Sequence, residues 1–225
     1  MSPVEAVKQL FVGSGAGWVL WLLVALSIVS FGIIIERLLF FRKRGADLRA
    51  LSDALDRQLP GGHFAQAIEE LNRSESVAGS IAAAGLRLAS LGPKAVEKAM
   101  QSATALERGR LEARLAWLGT VGNNAPFVGL FGTVIGIIRA FEELGQNASA
   151  HAGGAAAAQI ASQGVMTGIA EALVTTALGI AVALPAVAAY NYLQRRIASM
   201  LSGAEVLDNL VLAYLSSERR AEGSA

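Results

Sequence analysis

Three long apolar stretches stand out in the pattern of hydrophobic and polar positions along this chain. They cover residues 17–41, 121–144 and 164–192. A bilayer core needs about 20 mostly apolar residues per helix, so each stretch predicts one transmembrane helix. The first apolar run also exceeds the roughly 7–15 residues of a signal-peptide core, and its basic cluster follows it instead of preceding it. We therefore expect all three stretches to be retained membrane helices.

The intervening segment and the tail have the mixed apolar and charged pattern of helices in water. Gly and Pro residues mark the ends of several of these predicted helices. The pattern predicts helices over 47–59, 64–71, 80–91 and 94–118, the last leading unbroken into the second membrane helix, and an amphipathic helix over 193–225. The expected fold class is an all-α membrane protein whose second and third transmembrane helices extend into the cytoplasm.

Composition agrees with a membrane protein. The chain of 225 residues is 53% hydrophobic and 16% charged, whereas a soluble domain is about 25% charged. The net charge of +1 indicates no basic surface for nucleic acid, and the absence of cysteine excludes disulfides and zinc–thiolate sites.

Lysines and arginines flank the apolar stretches almost entirely on one side, and this asymmetry predicts orientation. The flanking residues are Arg42, Lys43, Arg44, Arg108, Arg110, Arg114, Arg195 and Arg196, with only Lys8 on the opposite side. Basic residues concentrate on the cytoplasmic side of membrane helices. We therefore predict a periplasmic N-terminus (1–16) and loop (145–163), and cytoplasmic segments at 42–120 and 193–225.

Small residues and hydroxyls form stripes along the second and third stretches. Glycines at helical spacing let membrane helices approach closely, and helix packing alone would explain any single one. Thr133 lies about ten residues, roughly 15 Å, from the cytoplasmic end of its helix, and Thr176 about eleven residues, roughly 16 Å, from the outer end of the next. Because the two helices run in opposite directions, both hydroxyls should lie near mid-membrane as parts of one site.

Glu171 is the single charged residue of the third stretch. A charge deep in a membrane costs at least about 2.5–3.5 kcal/mol, so it is hydrated, paired or protonated. Two interpretations remain open: Glu171 belongs to a proton or ion pathway, or it ties helices together across an interface. Arg139, Glu142 and Glu143 are predicted to be interfacial anchors. No metal-binding, nucleophile or phosphate-loop signature is present, so neither an enzyme nor a resident cofactor is expected.

Two motifs resemble a known family. APFVGLFGTVIGI at 125–137 and GIAEALVTTALGIAVALPAVAAYN at 168–191 are similar to the paired signature of the MotA/TolQ/ExbB proton channel family. Three predicted spans resemble its TolQ/ExbB branch. The chain departs from the family pattern at Ile135, where Trp is common, and at Thr167, where Pro is common. The second departure leaves the entry geometry of the third helix open.

The resemblance implies a homopentamer whose second and third helices surround a pore. It implies two single-span TolR/ExbD-like partner chains in that pore, each with a membrane aspartate, and a TolA/TonB-like energy transducer. Proton passage would involve Thr133, Glu171 and Thr176, with protons as the coupling ion. Residues expected in pore lining or helix packing are Gly129, Gly132, Gly136, Thr175, Gly179 and Pro185.

The expected function is that of an inner-membrane stator subunit that converts proton motive force into mechanical work on the cell envelope. The sequence leaves open whether this work is Tol-type envelope maintenance, Ton-type uptake or gliding. The alternative is a membrane scaffold for a single-span partner, without ion flow. A small-molecule transporter would predict an inverted repeat, which the sequence lacks.

Overall fold

A computed structural model describes residues 17–45, 47–150 and 155–222, and these residues form helices without any strand. The predicted N-terminal segment 1–16 lies outside the described residues. The helices are α1 (Gly17–Arg44), α2 (Leu48–Gln58), α3 (Phe64–Arg73), α4 (Val77–Leu86), α5 (Pro93–Glu112), α6 (Leu115–Ala150) and α7 (Ala155–Glu222), with 3-10 turns at Leu59–Gly61 and Ala89–Leu91. The all-helical prediction is confirmed for this part of the chain.

Among the described residues, α1, α6 and α7 are long and apolar enough to cross a membrane. This confirms the three predicted membrane helices as candidates. Helix α7 has 68 residues, over three times the roughly 20 that a bilayer requires. Helices α6 and α7 also continue into the stretch 145–163, up to Ala150 and from Ala155.

Capping side chains and glycines mark the ends of several of the short helices α2 to α5. The Asp47 side chain accepts hydrogen bonds from the first backbone amides of α2, and Ser76 does the same for Gly79 at the start of α4. Both are typical N-cap residues. Gly62 and Gly92 have positive φ angles of 66° and 90°, which suits them to the turns that follow the two 3-10 segments.

The predicted continuous helix over 94–118 is wrong. Helix α5 ends at Glu112 and α6 begins at Leu115, because Arg114 adopts a left-handed conformation with φ of 64°. That conformation costs a non-glycine residue about 1–3 kcal/mol. An ion pair of 2.9 Å between Arg114 Nη1 and Glu36 Oε2 accompanies it. The partner residue is remote in sequence, so the helical pattern could not reveal the break.

Contacts within the chain divide it into two compact units. The membrane unit comprises the described residues within 1–34 and 116–190, and the second unit comprises those within 35–115 and 191–225. In the membrane unit α1, α6 and α7 share one apolar core. Its buried members are Val19, Leu23, Val121, Ala125, Ile135, Val182, Ala183 and Ala186. The core therefore holds the three helices together and fixes which faces of α6 and α7 meet.

The second unit has its own core, built from leucine-rich faces of the shorter helices and the distal part of α7. Fully buried members include Leu55, Leu59, Leu71, Ile81, Leu86, Met100, Leu111, Leu193 and Leu207. This unit corresponds in sequence to the segments predicted to be cytoplasmic.

Candidate functional site

Two glycines bring the backbones of α6 and α7 into direct contact. A Cβ atom on Gly129 would lie 2.9 Å from the carbonyl oxygen of Thr175, and one on Gly179 would lie 2.7 Å from the carbonyl oxygen of Ala125. Distances this short exclude any larger residue without movement of the backbone. The close approach that small residues permit in membranes therefore occurs at this point of the α6–α7 contact.

The other small residues of the predicted stripes lie along the same contact. A Cβ on Gly132 would meet the Thr175 side chain at 2.5 Å, and one on Gly168 would meet Ala140 Cβ at 2.8 Å. Gly136 is buried, whereas Pro185 is exposed on α7. The contacts explain why positions 132 and 168 are small, and a role of any of these residues in a pore stays a prediction.

Thr133 and Thr176 meet across the α6–α7 contact. Their hydroxyl oxygens are 2.5 Å apart, and Thr133 Oγ1 also lies 2.7 Å from the carbonyl oxygen of Ala172. Each hydroxyl has one proton to donate. Both bonds form when Thr176 donates to Thr133 and Thr133 donates to Ala172. The structure thus brings together the two hydroxyls whose matched depths predicted one site.

The neighbouring hydroxyl of Thr175 is used differently. Thr175 is buried, and its Oγ1 donates to the carbonyl oxygen of Glu171 in its own helix at 3.2 Å. Its methyl group faces Gly132. Adjacent threonines therefore serve two purposes: Thr176 bonds across the helix contact, while Thr175 fills it.

Glu171 lies on the border of a cavity of about 600 Å³ within the membrane unit. The lining residues are Gly17, Gly136, Arg139, Ala140, Glu143, Gly164, Thr167, Gly168, Glu171 and Ala172. Glu171 is exposed, and among the described residues its carboxylate takes part in no hydrogen bond or ion pair. Such a carboxylate is available to water and to a mobile ion.

Arg139 and Glu143 line the same cavity, and sequence reasoning did not assign them to the site. Arg139 Nε donates to Glu143 Oε1 at 3.1 Å. The helical spacing of Gly136, Arg139, Ala140 and Glu143 places all four on one face of α6. That spacing relative to the glycine stripe is the signal that would have identified them. Thr167 also lines the cavity, and its hydroxyl bonds the Gln163 carbonyl of its own helix.

The polar groups follow one another along α6 and α7. Thr176 and Glu171 are five residues apart on α7, which corresponds to about 7.5 Å along the axis. Ala172, which accepts from Thr133, also lines the cavity. The hydroxyl pair thus adjoins the cavity that holds the carboxylate.

Known proteins match this chain over most of its length. Residues 73–205 match the MotA/TolQ/ExbB proton channel family. The Tol-Pal system protein TolQ of Haemophilus influenzae is 36% identical over 193 residues, covering 80% of this chain and 79% of that protein.

Two further relatives match over smaller shares of their own length. TolQ of Pseudomonas aeruginosa is 44% identical over 108 residues, 48% of this chain and 42% of that protein. A putative biopolymer transport protein, an ExbB homolog of Methanothermobacter thermautotrophicus, is 29% identical over 195 residues, 86% of this chain and 66% of its own length. Together with the three apolar helices, these matches support a multi-pass inner-membrane protein. The chain belongs to the MotA/TolQ/ExbB proton channel family, in its TolQ/ExbB branch.

Proposed function

We propose that this chain is a proton-channel and stator subunit that works with a TolR/ExbD-like partner to convert proton motive force into mechanical work on the cell envelope. Protons are the coupling ion, and no resident cofactor is required. The relatives' names, Tol-Pal system protein and biopolymer transport protein, favour envelope-linked work of the Tol or Ton type. A TolA/TonB-like transducer would receive that work.

The observation that carries this proposal is the contact between Thr133 and Thr176 beside the cavity that holds Glu171. A carboxylate can take up and release a proton, whereas a threonine hydroxyl can only donate and accept hydrogen bonds. Glu171 would therefore exchange protons with the cavity, and the hydroxyl pair would order hydrogen bonds at mid-membrane. Each proton passing would release about 2.3 kcal/mol per 100 mV of membrane potential.

The assembly that such a pathway needs is a homopentamer around a central pore. Large apolar side chains of the membrane unit are exposed and available for lipid or neighbouring copies, among them Trp21, Ile28, Phe127 and Leu173. None of the three predicted spans contains aspartate. The membrane carboxylate that would complete the pathway therefore comes from the single-span partner seated in the pore.

In this proposal the N-terminus faces the periplasm, and the second unit lies in the cytoplasm. The basic residues that flank the apolar stretches support this direction. The lengths of α6 and α7, at 36 and 68 residues, support helices that continue beyond the bilayer.

One observation favours the second candidate function, a non-conducting scaffold. Thr133 donates to the carbonyl of Ala172 on the neighbouring helix at 2.7 Å, so its hydroxyl is satisfied without any ion. Interhelical hydrogen bonds of this kind can hold membrane helices together. In a scaffold, the hydrogen bonds of Thr133 to Ala172 and Thr176 would only hold the helices together and would play no part in ion transfer.

The variants Glu171→Ala and Thr133→Val separate the two functions. The control is Thr120→Val, because Thr120 is an exposed hydroxyl that bonds only within α6 among the described residues. Oligomer mass in detergent reports assembly, and survival of cells on detergent reports envelope function. We expect both site variants to assemble normally and to lose envelope function. Normal function in both would exclude the channel, and loss of assembly would favour the scaffold.

A further inference from the structure

We propose that Arg139 determines which ion the cavity accepts, by excluding sodium while leaving Glu171 free to take a proton. This inference rests on the proposed channel function and adds a selectivity residue to it. Its basis is the set of charged groups that line the cavity: Arg139 and Glu143 from α6, and Glu171 from α7. From α1, the described lining contains only Gly17, which carries no charge.

The register of α6 and α7 places Arg139 close to the depth of Glu171. A Cβ on Gly168 would meet Ala140, so these two residues lie at the same level. Because the helices are antiparallel, Arg139 is then level with residue 169, two positions from Glu171. Two residues correspond to about 3 Å along a helix. The backbone of Arg139 therefore lies close to the level of Glu171, and its guanidinium bonds Glu143 one turn further along α6, in the lining of the same cavity.

Proton and metal cation make different demands on this cavity. A proton needs one carboxylate oxygen, whereas a hard metal cation replaces its water with several oxygen ligands. Glu171 alone supplies one free carboxylate. Glu143 would supply the second, but its Oε1 already accepts from Arg139 Nε at 3.1 Å. Arg139 thus competes with sodium for the second carboxylate.

The guanidinium also opposes sodium directly. Arginine stays protonated under all ordinary conditions, so its charge cannot be discharged as an ion enters. A like charge in the lining of the same cavity weakens cation binding there. A proton that binds covalently to Glu171 gives a neutral carboxyl group. The guanidinium of Arg139 therefore repels it far less than it repels a sodium ion, which keeps its positive charge.

Sodium binding to the purified full-length chain in nanodiscs tests this inference, measured by the concentration dependence of ²³Na NMR line broadening. Arg139→Gln frees Glu143 and should increase the sodium affinity about tenfold. Arg139→Lys keeps the charge and should stay much nearer to the wild type. The double variant R139Q/E143Q lacks the second carboxylate as well as the guanidinium, so its sodium affinity should lie between those of the wild type and Arg139→Gln. Arg108→Gln, an exposed change outside the cavity, is the matched control.

Equal sodium affinity in Arg139→Gln and the wild type would overturn the inference, as would an equal increase in the double variant. Arg139→Met makes the same comparison if Arg139→Gln does not insert. The proposed channel function fails by a different result, the absence of proton flux in the wild type. Sodium binding is measured without flux, so the two failures can be told apart.

Discussion

The hydroxyl groups of Thr133 and Thr176 form a hydrogen-bonded pair between α6 and α7. A threonine hydroxyl can donate one hydrogen bond and can accept others at its oxygen. Thr133 uses both abilities when it donates to the carbonyl oxygen of Ala172 and accepts from Thr176. Loss of the Thr133 hydroxyl would leave the Thr176 hydroxyl without this partner, whereas Thr133 would keep its bond to Ala172 if the Thr176 hydroxyl were lost. The pair is therefore both a structural contact and a candidate step in proton transfer.

Valine at these positions should reveal that the two threonines act as one unit. Thr133→Val alone should destabilise the protein by about 1–3 kcal/mol, because it leaves the partly buried Thr176 hydroxyl without its partner. Thr176→Val alone should cost less, because Thr133 keeps its bond to the carbonyl oxygen of Ala172. The double variant should cost less than the sum, since no partner remains stranded. Thermal unfolding in detergent measures this, with Thr120→Val as control. Strictly additive losses would contradict the bond between the two hydroxyls.

Sequence reasoning reached part of this site. Counting residues from the helix ends was enough to pair Thr133 with Thr176, because depth in a straight helix follows directly from residue number. It assigned Thr176 to the site and Thr175 to pore lining or packing, but it did not predict the partners of Thr175, since these depend on how α7 is rotated against α6. It did not include Arg139 in the site, because the position of Arg139 near the outer end of its helix predicts an anchor at the membrane surface.

At the scale of elements, the contact between Gly129 and Gly179 sets the distance between α6 and α7. Atoms of the opposing backbone occupy the space that a side chain would need at either position. The hydroxyl contact follows from this closeness, because threonine side chains are too short to bridge widely separated helices.

Gly129→Ala should therefore destabilise the membrane unit by about 1–3 kcal/mol through overpacking. Gly32→Ala in α1 is the matched control, since no atom lies within 4 Å of its added Cβ. That control should be neutral or stabilising by about 0.5–1 kcal/mol, as expected for alanine in a helix. Melting temperatures of the two variants in detergent test this. An equal effect of both changes would show that the glycine contact is unimportant.

The break between α5 and α6 shows where periodicity stops being informative. No glycine or proline lies between Glu112 and Leu115, so local signals favour a continuous helix. The ion pair of Arg114 with Glu36, from a remote part of the chain, accompanies the interruption. Tertiary contacts of this kind are invisible in the helical pattern.

The stability of the whole protein depends on pH through a carboxyl group of the second unit. Asp208 in the second unit is partly buried, and its Oδ1 has no hydrogen-bond partner among the described residues. Burial, with a smaller contribution from the charge of Glu205, raises the pKa of Asp208 from 3.8 to about 6. The folded chain therefore favours the protonated carboxyl, and the ionised form carries a penalty.

Asp208→Asn should be more stable than the wild type by an amount that depends on pH. Because the folded pKa is raised, the wild type pays no penalty below about pH 4. The penalty grows between about pH 4 and 6, reaching about 1–3 kcal/mol above that range. Melting temperatures across pH 4–8 measure the difference. Asp53→Asn, an exposed change in α2, should show no such trend. A constant difference for Asp208→Asn would contradict this assignment.

The three membrane helices could be predicted from the sequence, because each membrane helix needs a long apolar stretch and the sequence contains three such stretches. The division into two units and the cavity beside Glu171 did not follow. Both depend on how distant helices pack, which residue spacing within one helix does not specify.

Measuring proton flux through the assembled complex tests whether Glu171 carries protons across the membrane. Proteoliposomes containing the full-length chain and its single-span partner would receive an imposed membrane potential, with an internal pH-sensitive dye as the readout. The account predicts proton uptake in the wild type and a loss of at least about tenfold in Glu171→Gln, which keeps the shape of the side chain but cannot exchange a proton in this range. Equal uptake by the two proteins would contradict it.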